Sequence, residues 1–262
     1  MPIPIVFCCD ENYFPHLRAT IASIVHNRDA CDEFHFFLIH NGFSESKKKK
    51  LRDLARSRFD FIEIDLKQRF GRFAKTIRKF DVVSLMTYAR LLIPELVFGY
   101  DKVIYMDCDI IVRGSLSGLM EIDLGDNFIG GCSDFNCGLM ARTLDTDVYV
   151  NAGVLVMNCA LWRKYKMSRT SIKYWDASRY RLKWHDQDLL NSLFRKKMML
   201  IDSRYNYAIV SEKNGIEREI PYYGMFFRPI VYHYILRKPW KFRRVCRFRW
   251  LYLKYRILSF KY

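Results

Sequence analysis

Two aspartates separated by one residue, Asp107 and Asp109 in the run Tyr105-Met106-Asp107-Cys108-Asp109, are the best-placed chemical groups in this chain. Residues 102–106 are apolar enough to form a buried strand. Carboxylates at i and i+2 of such a segment project to the same side. Two hard oxygen donors so paired suit Mn²⁺ or Mg²⁺ that keeps positions open for phosphate oxygens. A solvated turn after a strand has the same composition. Here, however, an apolar run on each side, ending at Met106 and restarting at Ile110-Ile111-Val112, encloses the pair. Three further polar clusters accompany it. Asn151-Ala152-Gly153 leads into an apolar strand and puts small residues where a ligand could approach closely. His185-Asp186-Gln187-Asp188 opens a helix, a place where acids also complement the dipole. His233 ends the strand-like Ile230-Val231-Tyr232, where a histidine is either a packed core residue or a ligand.

These groups need a scaffold, and the hydrophobic pattern supplies one. Residues 3–9 read as a buried strand running into Asp10-Glu11-Asn12, and 13–26 carry helical spacing. A second strand over 34–40 closes at Asn41-Gly42. Ser44 is expected to cap a basic helix to about residue 58, followed by a strand over 59–66. A helix is predicted over 84–93, stopping before Pro94. Further strands are predicted over 102–106, 128–133 and 153–158, then helical pieces at 162–165, 171–175 and 186–194, and a turn-rich stretch from 202 to 227. Alternation of strand and helix implies crossover connections and a mainly parallel sheet covered on both faces. Ligands of such sheets bind beyond the carboxyl ends of the strands. Asp10 and Asp107 both fall at such ends and should converge.

Taken in order, six segments resemble glycosyltransferase family 8, most of all its bacterial α-galactosyl- and α-glucosyltransferases that extend lipopolysaccharide or lipooligosaccharide. They are Phe7-Cys8-Cys9-Asp10-Glu11-Asn12-Tyr13, Thr87-Tyr88-Ala89-Arg90-Leu91, the Asp107–Asp109 run, Asn151-Ala152-Gly153-Val154-Leu155, His185 to Asn191, and His233-Tyr234 with Lys238-Pro239-Trp240. The resemblance implies an α/β GT-A (Rossmann-like) fold, a UDP-sugar donor, Mn²⁺ and retention of anomeric configuration. By position it makes Asp107, Asp109 and His233 the metal ligands. It places Asp10, Asn12 and Tyr13 at the uridine, with Cys108 also among the donor contacts, and Lys238 at the diphosphate. Arg90, Asp134, Asn151, Ala152, Asp186 and Gln187 fall around the donor sugar. Gln187 occupies the candidate nucleophile's place, but an amide is a poor nucleophile, so an orienting role is expected. One departure stands out. Family members usually carry a glycine between the histidine and Lys-Pro-Trp, whereas this chain has Tyr234-Ile235-Leu236-Arg237. The side chain of Arg237 is expected to substitute for backbone contact there.

Composition bounds the rest. The 262 residues are 50% hydrophobic and 27% charged, which suits a folded domain rather than a disordered chain. Neither a signal peptide nor a transmembrane run is legible, so a cytoplasmic protein is expected. The eight cysteines form no Cys-x-x-Cys pair and are expected to be reduced thiols. Much of the net charge of +16 gathers at the end: no acid follows Glu219, and nine Lys and Arg lie between Lys238 and Lys261 among aromatic residues. That pattern suits an anionic membrane surface better than nucleic acid, whose binding would line a groove with charge. A tail packed on the domain is the remaining reading.

The resulting expectation is a transferase domain over 1–240 with a basic aromatic, membrane-associating segment over 241–262, peripherally bound at the inner face of the cytoplasmic membrane. It would move a hexose, galactose before glucose, from a UDP-hexose to a glycan or lipid-linked saccharide in lipopolysaccharide biosynthesis. A non-catalytic nucleotide-sugar-binding protein is the alternative of a different class.

Overall fold

The structure, a computed structural model, describes residues 1–70, 85–135, 137–178, 182–209, 228–235, 238–242 and 246–261. Ten strands are found among them: β1 Ile3–Cys8, β2 Phe34–His40, β3 Arg58–Glu63, β4 Lys102–Met106, β5 Ile110–Val112, β6 Ile129–Ser133, β7 Val150–Asn158, β8 Met198–Leu200, β9 Tyr207–Ala208 and β10 Val231–His233. The helices are α1 Phe14–His26, α2 Glu45–Ala55, α3 Leu66–Phe70, α4 Ile93–Leu96, α5 Ser117–Glu121, α6 Cys137–Leu144, α7 Cys159–Lys164, α8 Met167–Ser178, α9 His185–Phe194 and α10 Arg249–Leu258, with 3₁₀ turns at Glu11–Tyr13, Leu85–Leu92 and Ser203–Tyr205.

Seven strands make one sheet in the order β3-β2-β1-β4-β7-β6-β8. The β1, β2, β3 and β4 pairings are parallel, β7 runs antiparallel to both β4 and β6, and β8 is parallel to β6. The central strands are buried on both faces, which is why they read as continuous apolar runs. Alternation sends Ile5, Phe7, Ile104, Met106, Val154 and Val156 into one core with α1 and α2. Val6, Val103, Tyr105, Leu155 and Met157 enter the other, which is closed by Trp162, Trp175, Leu190 and Phe194. The strand order reverses between β1 and β4, so a crevice opens beyond their carboxyl ends. Asp10 and Asp107 follow those two strands.

A small second sheet, β5-β10-β9, extends from the first. Its β5 continues the chain directly after Asp109. Helix α1 braces this junction: the buried Thr20 hydroxyl lies 3.1 Å from the Cys108 carbonyl and 2.8 Å from that of Ile110, and the Ser23 hydroxyl accepts from Val112 N–H at 2.9 Å. The turn carrying the acidic pair is therefore held from behind by a helix.

Several local expectations are corrected. The region predicted as one helix over 84–93 is a 3₁₀ turn, Leu85–Leu92, followed by α4, and Ser84 lies outside the described residues. Pro94 does not end the helix. It sits in the first turn of α4, where its missing N–H removes no helical hydrogen bond. The predicted strand over 59–66 is shorter, and α3 begins at Leu66. Ser44 precedes α2, but its hydroxyl faces that of Ser46 instead of capping the helix. Cys8, Cys9, Cys31, Cys108, Cys132, Cys159 and Cys246 are free thiols. No helix among the described residues is long and apolar enough to cross a membrane. The basic segment is a helix, α10, that buries Leu251, Tyr252 and Tyr255 beside α1 while Trp250, Ile257 and Phe260 remain exposed.

Candidate metal centre and active site

The β4–β7 ladder runs one residue past β4: Asp107 N–H donates to the Gly153 carbonyl at 2.8 Å. After Asp109 the chain enters β5, which pairs antiparallel with β10 and sets Ile110 opposite His233. Tyr234 N–H then donates to the Asp109 carbonyl at 3.1 Å. Register alone thus carries His233 to the acidic pair across more than a hundred residues of sequence. Ligand atoms of Asp107, Asp109 and His233 all lie within 4.8 Å of one another. His233 Nε2 is 3.2 Å from Asp109 Oδ1 and 3.6 Å from Asp107 Oδ2.

The remaining carboxylate oxygens are occupied elsewhere. Asp107 Oδ1 accepts from the Tyr105 hydroxyl at 2.5 Å and from Arg90 at 3.0 Å. Asp109 Oδ2 is paired with the Lys238 ammonium, which also donates to the Tyr234 and Ile235 carbonyls. Each acid therefore offers one oxygen toward His233 Nε2. Asp109 Oδ1 is buried and has no hydrogen-bond donor. Burial opposes charge on Asp109, and the neighbouring Lys238 ammonium foremost draws the carboxyl below its usual range. Two hard oxygens, one of them orphaned, and an imidazole nitrogen converging on one point fit a divalent cation.

The histidine tautomer follows from a chain that starts at an unambiguous backbone donor. Gly153 N–H donates to Asn151 Oδ1 at 2.9 Å, so the Asn206 atom facing that oxygen, also at 2.9 Å, is Nδ2. Asn206 Oδ1 then faces His233 Nδ1 at 2.9 Å, and the imidazole donates from Nδ1. Nε2 is left aimed at the acids, the arrangement that orients a metal-binding histidine. Gly153 makes this geometry possible, because a β-carbon there would overlap the His233 ring. The small residues of Asn151-Ala152-Gly153, expected to admit a ligand, make room in this case for a side chain.

Around this centre the predicted sugar-site residues form one connected network. Arg90, buried in the second core, donates to the Thr87 and Ala152 carbonyls at 2.9 and 2.6 Å and lies 3.0 Å from Asp186 Oδ2. Its Nε–H is spent on Thr87, so the Asp186 pair is an ion pair without an aligned hydrogen bond, and Asp186 Oδ2 has no donor. Burial pushes the Asp186 carboxyl up to about 6, against the pull of Arg90 and with the push of Asp107. Gln187 is tied at both ends. Its carbonyl accepts from Ala152 N–H at 3.0 Å, and its amide donates to Asp134 Oδ2 at 3.1 Å and to the Tyr149 hydroxyl at 3.2 Å. Asn151 donates to the same Asp134 oxygen at 2.8 Å.

On the other side, Asp10 accepts from Asn12 N–H at 3.0 Å and starts the 3₁₀ turn that presents Tyr13. The Cys108 side chain is buried in the core with β1 and α1, and its carbonyl accepts from Thr20 on α1. Leu236 and Arg237 lie outside the described residues, and with them the expected Arg237 contact. Sequence reasoning missed Tyr105, which shares a strand face with Asp107 two residues on. It also missed Tyr149, and it read Asp188 only as an acid at a helix start, whereas the tyrosine donates to that acid at 2.5 Å. Asn206 lay in a stretch with no readable pattern.

Two outcomes follow from this geometry. Gly153→Ala displaces His233 and should weaken divalent-cation binding by about 10–100-fold in calorimetric titration, with the far-ultraviolet circular dichroism retained. Asp186 binds its proton more tightly folded than unfolded, where its value is about 4, so its stabilising share is full below pH 4 and lost as pH rises through 6. Asp186→Asn should therefore gain stability relative to the wild type between pH 4 and 7, by up to about 3 kcal/mol in urea unfolding.

The sequence profile of glycosyl transferase family 8 matches residues 4–243. Glycosyltransferase GlyA of Streptococcus pneumoniae is 30% identical over 238 residues, covering 90% of this chain and 32% of GlyA. Lipopolysaccharide 1,2-glucosyltransferase of Escherichia coli is 27% identical over 250 residues, covering 88% of this chain and 71% of the enzyme. Against the first three curated relatives, this chain spans 68%, 32% and 42% of their lengths. Among solved structures, galactosyltransferase LgtC in complex with donor and acceptor sugar analogs superposes with a TM-score of 0.81 at 28% identity, over 99% of this chain and 96% of LgtC. The fold is GT-A, and the chain belongs to glycosyl transferase family 8.

Proposed function

We propose that the protein is a retaining hexosyltransferase that moves galactose from UDP-galactose to a lipopolysaccharide, lipooligosaccharide or other cell-surface glycan. The observation that carries this reading is the convergence of Asp107, Asp109 and His233 on one point, flanked by Lys238 and Arg90. A divalent cation held there, Mn²⁺ or Mg²⁺, supplies Lewis-acid neutralisation of a departing nucleoside diphosphate. Lys238 adds a positive charge that can pass from Asp109 to the β-phosphate as the sugar–oxygen bond breaks. Asp10, Asn12 and Tyr13 take the uridine. Asp186 keeps an oxygen that accepts no hydrogen bond for the sugar, and as a carboxylate it stabilises positive charge developing at the anomeric carbon. Asp134, Asn151, Ala152 and Gln187 hold the sugar's orientation, with Gln187 fixed by hydrogen bonds as an orienting group. The resemblance of the fold to a galactosyltransferase favours galactose, and the Escherichia coli relative favours glucose as the second reading.

We also infer a peripheral position on the cytoplasmic face of the membrane. The outer side of α10 exposes Trp250 and Ile257, with Phe242 and Phe260 beside it, among Lys and Arg side chains. Aromatics and cations so mixed favour an anionic lipid interface.

A donor screen read by UDP release should give turnover with UDP-galactose above other UDP-hexoses, abolished by chelation and restored by Mn²⁺. The Asp107→Ala, Asp109→Ala double variant should lose at least about 100-fold in kcat. Full rate in that variant would end the proposal. In sedimentation with vesicles containing phosphatidylglycerol, Trp250→Ala with Ile257→Ala should shift the protein to the supernatant; unchanged pelleting would remove the membrane reading.

A further inference from the structure

The basic aromatic helix reads from sequence as an appendage, but its inner face is joined to the nucleotide side of the crevice by a short aromatic chain. His16, in the first turn of α1, stacks on Trp240 with ring centroids 3.5 Å apart and planes at 15°. Its Nδ1 is 2.7 Å from the hydroxyl of Tyr252 on α10. Trp240 meets Tyr13 edge-on at 5.9 Å and Tyr252 at 5.5 Å, and Tyr13 meets His16 at 5.5 Å. Two residues before Trp240 in the chain is Lys238, which pairs with Asp109. One imidazole thus touches the ring that sits between the uridine-side Tyr13 and the segment delivering the diphosphate-side lysine.

The rest of α10 is anchored independently. Asn27 donates to the Tyr255 hydroxyl at 2.8 Å, Arg18 to the Ser259 carbonyl, and the Tyr234 hydroxyl to the Phe248 carbonyl at 2.8 Å. Burial pushes His16 down to about 4, with Arg256 acting the same way, so the ring stacks as a neutral aromatic and shares a hydrogen bond with the Tyr252 hydroxyl.

We propose that His16 is a positioning residue for nucleotide binding: it clamps Trp240, and with it Tyr13 and the Lys238 segment, to α10, making this helix a working part of the donor site. The inference rests on the reading of Tyr13 and Lys238 as donor contacts. It requires no contact between His16 and the ligand.

The test measures UDP affinity of the full chain by calorimetry with saturating Mn²⁺, together with donor KM and kcat. His16→Ala should weaken UDP about tenfold and raise donor KM to match, with kcat within about twofold. His16→Phe, which keeps the stacking, should recover most of the loss. Tyr252→Phe should weaken UDP about threefold, whereas Tyr255→Phe, on the same helix and also buried, should lower Tm and leave UDP affinity unchanged. Wild-type affinity in both His16→Ala and Tyr252→Phe would overturn the proposal, as would equal weakening by Tyr252→Phe and Tyr255→Phe, the mark of a merely structural role. A wild-type protein that does not bind UDP with Mn²⁺ would overturn the donor reading and this inference with it.

Discussion

Two carboxylates and an imidazole nitrogen aimed at one point repel one another unless positive charge is brought to them. Everything around the acidic turn answers that requirement. Lys238 neutralises the outer oxygen of Asp109, Arg90 and the Tyr105 hydroxyl take one oxygen of Asp107, and the inner atoms are left for a cation. Burial sharpens the demand, because unpaired charge away from water is costly. The site is consequently a balance of charges in which Arg90 serves Asp107 and Asp186 together.

The scaffold was legible in the sequence where physics acts locally. Strands buried on both faces read as apolar runs, and residues 102–106 led straight to the acids because a parallel sheet collects its ligands at strand ends. Groups whose role depends on distant neighbours were not legible. The hydroxyl of Tyr105 and the amide of Asn206 matter only because β4 and the 3₁₀ turn at Ser203–Tyr205 bring them beside Asp107 and His233. The small size of Gly153 was visible, but the ring that needs the space comes from β10. Pro94 reads as a stop from the residue before it, yet as the second residue of a new helix it is permitted.

The C-terminal helix shows the same limit on a larger scale. Its composition predicts a lipid surface, and its outward face keeps that character. Its inward face is set by aromatic partners on α1 and at Trp240, which no periodicity of the helix itself announces. One amphipathic element can therefore serve two neighbours of unlike chemistry.

The pairing of β10 with β5 has a bearing on biosynthesis. Val231 to His233 zip onto Ile110 to Val112, so the histidine of the cluster is made more than a hundred residues after its two acids. The first four strands can assemble as they leave the ribosome, since β1, β2, β3 and β4 pair among themselves. A truncated or stalled polypeptide would hold the acids without the histidine. The three-residue cluster therefore closes only after β10 has been made, long after the acids themselves have emerged.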